Sequence, residues 1–315
     1  MRKHYGLIFC FLVSMAYTQS LTVEKIWKQF EFRAKGVAGF NSLSDGAHYS
    51  LMDEKGNLVM VPLDSKEEQP KVLINASDLV WQGQGLAVQD YSFNLQENKV
   101  LLMTDVNPIY RNSYTAVYYL FDLQTKKLSP LSNEMTPQTL AEYSPDGTMV
   151  SFVFKNDLYV KNLSNGKITA ITTDGKKNKV INGTTDWVYE EEFAITKAYS
   201  WSPDSKYLAF LKFVEKGVKE FGIDKYGALY PDRFEYKYPK AGEDNSVVTA
   251  HWVSVSKAQK INPIALGSYE YIPRIKWSND ANILVATTLN RNQNNLKLHK
   301  VNASKANATL LFNET

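Results

Sequence analysis

Beyond about residue 40 the chain alternates short apolar segments with polar turns, and the alternation itself repeats. Tyr143-Ser-Pro-Asp-Gly147, Trp201-Ser-Pro-Asp204 and Trp277-Ser-Asn-Asp280 each place an aromatic residue before a tight turn and an apolar segment after it. Those segments, Met149–Phe154, Tyr207–Phe213 and Ile283–Thr288, are rich in β-branched and aromatic residues and read as strands. Weaker copies begin at Leu43-Ser-Asp-Gly46 and at Phe93-Asn94. Marked by Ser44, Asn94, Ser144, Ser202 and Ser278, the steps are 50, 50, 58 and 76 residues. Partner strands follow the clearest copy: Asp157–Lys161, the hairpin signal Asn165-Gly166, then Lys167–Thr172. Self-similarity at this spacing, with several strands per unit, is the signature of propeller blades. The pattern predicts an all-β chain, a β-propeller of about five blades over residues 37–315.

Two segments break the period. Thr22–Phe30 carries Val23, Ile26, Trp27 and Phe30 at helical spacing with Thr22 as N-cap, which predicts a short amphipathic helix in an N-terminal segment over residues 21–36. Phe213–Asn245 lengthens the step between Ser202 and Ser278, and its Tyr, Lys, Gly and Pro content reads as a long loop followed by a strand. Residues 1–20 read as a secretory signal peptide, with Arg2 and Lys3 ahead of the apolar run Tyr5–Met15. A signal anchor is the competing reading. With the signal peptide the expected location is secreted or periplasmic.

Composition removes several function classes. The formal charge of +3 includes Arg2 and Lys3, so the remainder carries no basic footprint for nucleic acid. The single cysteine, Cys10, lies inside the apolar leader, and the mature chain is expected to hold no disulfide. His4, His48, His251 and His299 show no zinc-binding spacing, and there is no Gly-x-Ser-x-Gly elbow or phosphate-cradling glycine loop. No cofactor, metal or catalytic residue is assigned. His251 is expected to be a core or edge histidine of the strand Thr249–Val255. Sequons at Asn75, Asn162, Asn182, Asn302, Asn307 and Asn313 matter only in a host that glycosylates.

The one stretch with marked chemistry is Asp186-Trp-Val-Tyr-Glu-Glu-Glu-Phe193. Consecutive carboxylates repel, and desolvating them demands a cation. An ammonium offers three donors and no acceptor, so two carboxylates satisfy it better than one. Neighbouring residues of a strand point to opposite faces, so Glu191 and Glu192 converge on one ligand only from a bend or a short helix.

Asp186–Glu192 is closely similar to the double-glutamate motif of the dipeptidyl peptidase IV type in the prolyl oligopeptidase family of serine peptidases. The resemblance implies that Glu191 and Glu192 bind the free α-ammonium of a peptide. Tyr110-Arg111-Asn112-Ser113-Tyr114-Thr115-Ala116 resembles the segment whose arginine, here Arg111, faces the pair, holds the peptide carbonyl and compensates the paired charge. Tyr238-Pro239-Lys240-Ala241-Gly242 resembles a structural landmark of the same family, without a catalytic role. The resemblance runs from about Leu21 to near the C-terminus. It implies an eight-bladed propeller followed by an α/β-hydrolase domain with Ser, Asp and His, which together release N-terminal Xaa-Pro or Xaa-Ala dipeptides and form a homodimer. The 315 residues reach about five blades, so this chain is expected to recognise substrate and to be inactive without the hydrolase domain. The alternative is a non-enzymatic propeller that binds peptides or acts as a scaffold.

Overall fold

A computed structural model describes residues 21–34, 39–64, 69–257, 260–303 and 307–315. The leader read over residues 1–20 lies outside the described residues. From Asn41 onward the chain forms five successive antiparallel sheets. Blade one comprises Asn41–Ser42, His48–Met52, Leu58–Pro62 and Lys71–Ile74; blade two comprises Asp90–Phe93, Lys99–Pro108, Tyr114–Asp122 and Lys127–Pro130. Thr139–Tyr143, Met149–Phe154, Asp157–Asn162 and Ile168–Ala170 make blade three. Blade four pairs Tyr199–Trp201, Tyr207–Val214, Val247–Ser254 and Ile261–Pro263, and Val180–Asn182 adds to the far end of Tyr207–Val214. Tyr271–Trp277, Ile283–Leu289, Leu296–Asn302 and Asn307–Glu314 complete blade five. The all-β propeller and its blade count therefore follow the sequence pattern.

The core lies between blades. Side chains of a strand alternate between faces, and the second strand of each inner blade uses both. Val150 and Phe152 pack with Leu101, Ala116 and Tyr118 of blade two. Val153, from the opposite face, packs with Trp201, Leu208 and Phe210 of blade four. On the same strand of blade four as Leu208 and Phe210, Ala209, Leu211 and Phe213 turn the other way, towards Ile272, Leu284 and Ala286 of blade five. The aromatic before each turn serves the same end: Trp201 Nε1 donates to Ser151 Oγ of blade three (2.8 Å), and Trp277 Nε1 donates to the Ser200 carbonyl of blade four (3.0 Å).

The repeated turns close on their own polar side chains. Ser144 Oγ accepts from the Met149 N–H (3.0 Å) and Ser202 Oγ from that of Tyr207 (2.9 Å), while each hydroxyl donates to the Asp two residues on. Successive turns also touch. Glu97 Oε1 accepts from the Ser44 N–H (2.6 Å), Gln96 Nε2 donates to the Pro145 carbonyl (3.2 Å), and Ser205 Oγ accepts from the Asp146 N–H (3.0 Å). Gly147, at φ +68°, sits where a Cβ would meet Gln96 Oε1 at 2.6 Å and Asn94 Nδ2 at 2.7 Å. Both the backbone angle and the neighbouring turn require glycine there.

Two expectations change. The first compact unit, which ends at Gly39, contains helix α1 over Val23–Trp27 only, capped by Thr22 Oγ1 accepting from the Lys25 N–H (3.1 Å). The apolar spacing continues to Phe30, but Phe30 adopts φ +52°, which no helix accommodates. Phe213–Asn245 is not a loop followed by a strand. After Tyr207–Val214 it forms an arm, the hairpin Glu220–Lys225 with Asp232–Lys237.

Because the core is shared between blades, Phe152→Ala should cost about 3–5 kcal/mol in urea unfolding, whereas Phe312→Ala, on the exposed outer strand of blade five, should stay within about 0.5 kcal/mol. Equal effects would show that the inter-blade cores do not carry the stability.

Candidate functional site

Helix α2 (Trp187–Phe193) interrupts blade four between Asn182 and Tyr199. Its ends are specified locally: Asp186 Oδ1 accepts from the Tyr189 N–H (3.0 Å), and Ala194 closes the helix at φ +53°. Tyr189 and Phe193, four residues apart, share the buried face. Tyr189 meets Phe213 edge-on with centroids 4.8 Å apart, and its Oη accepts from the Ile272 N–H of blade five (2.8 Å). Arg274 of the same blade donates to the Phe193 carbonyl at the helix C-terminus (2.9 Å). The segment is thus the short helix that converging carboxylates require.

Each glutamate advances about 100° around the helix, and their environments separate accordingly. Glu190 is 2% exposed, and its Oε1 accepts from the Asn112 and Ser113 N–H groups at 2.6 and 2.8 Å. Glu191 Oε2 accepts from Arg111 Nε at 3.0 Å, with side chains 17% and 76% exposed respectively. Glu192 is exposed. The predicted site residues Arg111 and Glu191 are therefore in contact, and Glu192 follows on the same helix. Arg111 comes from the connection between the second and third strands of blade two, Pro108 to Tyr114.

An aromatic cluster props this arrangement. Trp187 packs on Tyr238 (centroids 4.4 Å apart) and on Tyr236 (6.5 Å), and Tyr236 packs on Tyr110, the neighbour of Arg111 (5.6 Å). Tyr238 belongs to the Tyr-Pro-Lys-Ala-Gly landmark, so that stretch supports α2. The cluster also joins the base of the arm to the site, since Tyr236 lies in its second strand.

Sequence reading missed the carboxylates behind the helix. Asp186 Oδ2 accepts from Ser246 Oγ at 2.6 Å, and burial raises the Asp186 carboxyl above the usual range against the pull of that bond. Glu215, 5% exposed, lines with Asp186, Tyr110 and Ser113 a cavity of about 660 Å³. Burial, and then the charge of Asp186, raise the Glu215 carboxyl to about 7, while Lys237 pulls the other way. No sequence signal marks Glu215, because its burial comes from blades two to four meeting around it. His251, expected as a core or edge histidine, is half-buried in the third strand of blade four, where it stacks on Phe210 with centroids 5.3 Å apart and burial lowers its pKa to about 4. Among the described residues no group of His, Cys, Asp and Glu is placed to hold a metal.

The fold and site define a propeller of four-stranded blades in which a short acidic helix faces an arginine loop. The family model described as the Dipeptidyl peptidase IV (DPP IV) N-terminal region matches residues 94–315, and the chain belongs to that family. Among curated proteins it is similar to the Probable dipeptidyl-aminopeptidase B of Aspergillus niger, at 37% identity over 220 residues, covering 64% of this chain and 24% of that protein. It is similar also to the mouse (Mus musculus) Prolyl endopeptidase FAP, at 30% identity over 226 residues, covering 71% of this chain and 29% of that protein. The crystal structure of Porphyromonas gingivalis dipeptidyl peptidase 4 superimposes with a TM-score of 0.87 at 34% identity, covering 95% of this chain and 42% of that one. The chain spans less than half the length of each of these relatives.

A carboxyl whose folded pKa is raised favours folding while it is protonated. The Glu215 contribution is full below its ordinary 4.5, declines as pH rises towards about 7, and levels off above. The decline should amount to roughly 3 kcal/mol. Urea unfolding of Glu215→Gln should therefore gain on the wild type across that window, and parallel pH profiles would refute the assignment.

Proposed function

We propose that this chain is the substrate-recognition propeller of a serine dipeptidyl peptidase that releases N-terminal Xaa-Pro or Xaa-Ala dipeptides. Glu191 and Glu192 receive the free α-ammonium of the peptide, and Arg111 orients its first carbonyl. The observation that carries this reading is the Arg111–Glu191 contact at 3.0 Å beside exposed Glu192: one carboxylate oxygen is already compensated by a guanidinium, and an acidic surface is left next to it for a second cation. Burying only part of the pair avoids the full desolvation penalty and keeps the site open to an incoming amine. Fixing the amine on the propeller makes the site a ruler. Cleavage chemistry supplied from outside these 315 residues then acts at a set distance from the peptide N-terminus.

Family membership supports the peptide substrate. The leader at residues 1–20 supports export, and among the described residues no helix is long and apolar enough to cross a membrane. The arm supports the homodimer: at its tip Tyr226, Leu229 and Tyr230 are 82%, 91% and 80% exposed, an apolar surface suited to a second copy.

Binding of Ala-Pro-amide by calorimetry tests the ammonium receptor. Glu191→Gln and Glu192→Gln should each cost about 2–5 kcal/mol, and N-acetylation of the ligand should abolish binding in the wild type. Undiminished affinity in both variants, or equal binding of the acetylated peptide, would remove the assignment. Leu229→Asp with Tyr230→Asp should shift a dimer to monomer in analytical ultracentrifugation; an unchanged mass would exclude the arm from the interface. Edman degradation of the exported protein should begin near Leu21, and a start at Met1 would exclude cleavage of the leader.

A further inference from the structure

We infer that Glu190, the first glutamate of the triplet, is a positioning residue: it receives no ligand but locks the Arg111 loop onto α2. The inference rests on the ammonium-recognition reading above for its consequence, though not for its geometry. Glu190 is 2% exposed, and one oxygen, Oε1, collects the N–H groups of two successive residues, Asn112 at 2.6 Å and Ser113 at 2.8 Å. A carboxylate that accepts two backbone donors makes charge-assisted bonds, about twice the strength of neutral ones. These two bonds tie the turn following Arg111 in blade two to a helix inserted in blade four, 78 and 77 residues away in sequence.

The contact that brings Arg111 to the site is weak by comparison. The Arg111 side chain is 76% exposed and touches Glu191 through Nε. An exposed pair of this kind contributes little and must hold a long, rotamer-rich side chain in place. The position of Arg111 is therefore set by its backbone, and its backbone is set at Asn112 and Ser113. The other hydrogen bonds within the loop are local: the Ile109 N–H donates to the Ser113 carbonyl (2.8 Å) and the Tyr110 N–H to Ser113 Oγ (3.2 Å), while Tyr110 reaches α2 only at second hand, through Tyr236 to Trp187. Those local bonds shape the turn, and the direct polar ties of its backbone to α2 are the two at Glu190. The triplet thus divides the work: Glu190 holds the loop, Glu191 meets the arginine that the loop presents, and Glu192 faces solvent.

Asn112 is itself exposed, so water replaces the lost acceptor when Glu190 is truncated, and the loop loosens without unfolding the blades. Glu190→Gln keeps the Oε1 acceptor and discards the charge, which separates a clamp from an ammonium receptor. Four variants of the full chain test this: Glu190→Ala, Glu190→Gln, Arg111→Met, and Glu190→Ala combined with Arg111→Met. Hydrogen-exchange mass spectrometry should show faster exchange over residues 109–114 in Glu190→Ala, unchanged protection in Tyr207–Val214, and partly restored protection in Glu190→Gln, which keeps the acceptor without the charge. Ala-Pro-amide should bind about tenfold more weakly to Glu190→Ala, with an affinity between those of the wild type and Glu190→Ala to Glu190→Gln, and no more weakly to the double variant than to Arg111→Met alone. Wild-type protection of residues 109–114 in Glu190→Ala would overturn the clamp. So would a Glu190→Gln variant as weak as Glu190→Ala, or a full Glu190 effect in the Arg111→Met background. Failure of the ammonium reading would appear separately, as indifference to Glu192→Gln and to N-acetylation, and the exchange measurement then decides the clamp alone.

Discussion

A four-stranded blade cannot bury its own faces, and everything else in this chain follows from that constraint. Strand Met149–Phe154 has no interior to point into; it gives Val150 and Phe152 to one neighbour and Val153 to the other. Stability is therefore a sum of nearest-neighbour interfaces, as in other repeat architectures. An element inserted into a blade can be held only by adjoining blades. Helix α2 illustrates this: Tyr189 reaches blade five, Glu190 reaches blade two, and Ser246 of its own blade holds the Asp186 cap. Seven residues are too few for an isolated helix to persist in water, so α2 exists because its neighbours satisfy it.

The same dependence explains how electrostatics are divided at the site. The carboxylates furthest from water, Asp186, Glu190 and Glu215, are handled differently. Glu190 and Asp186 accept hydrogen bonds, whereas Glu215 responds to burial by holding its proton up to about 7. On α2 and the loop facing it, Glu192 and the Arg111 side chain stay exposed.

Much of this was legible in the sequence, for physical reasons. Blade strands could be placed because alternation and turn chemistry are both local: Ser144 and Asp146 determine their turn with their own side chains. The helical character of Asp186–Phe193 could be argued because a strand would send Glu191 and Glu192 apart. The arm escaped detection because a two-stranded hairpin outside the sheets has no buried face to impose a period; its strands are mostly exposed. The distinct fates of three identical glutamates were invisible for a related reason. Their side chains are chemically equal, and only the loop from blade two makes Glu190 an interior residue. The end of α1 was misplaced because apolar spacing continues to Phe30, while the backbone has already turned at that residue.

The chain of contacts from Ser44 to Glu97, Gln96 to Pro145 and Asp146 to Ser205 has a bearing on how such a protein can change. All of these turns join the first and second strands of their blades, so they share one rim. The Arg111 connection, the arm and Glu215 all follow second strands, at the opposite rim. Lengthening any turn on the first rim would displace its neighbour as well, so insertions there carry a penalty at two blades simultaneously. On the second rim Arg291 donates to the Glu243 carbonyl (2.6 Å) between blades five and four, and the connections range from the two residues Lys155 and Asn156 to the span of the arm. The first rim thus serves as a gauge of blade pitch from blade one to blade four, and the longest excursion of the chain leaves from the other edge.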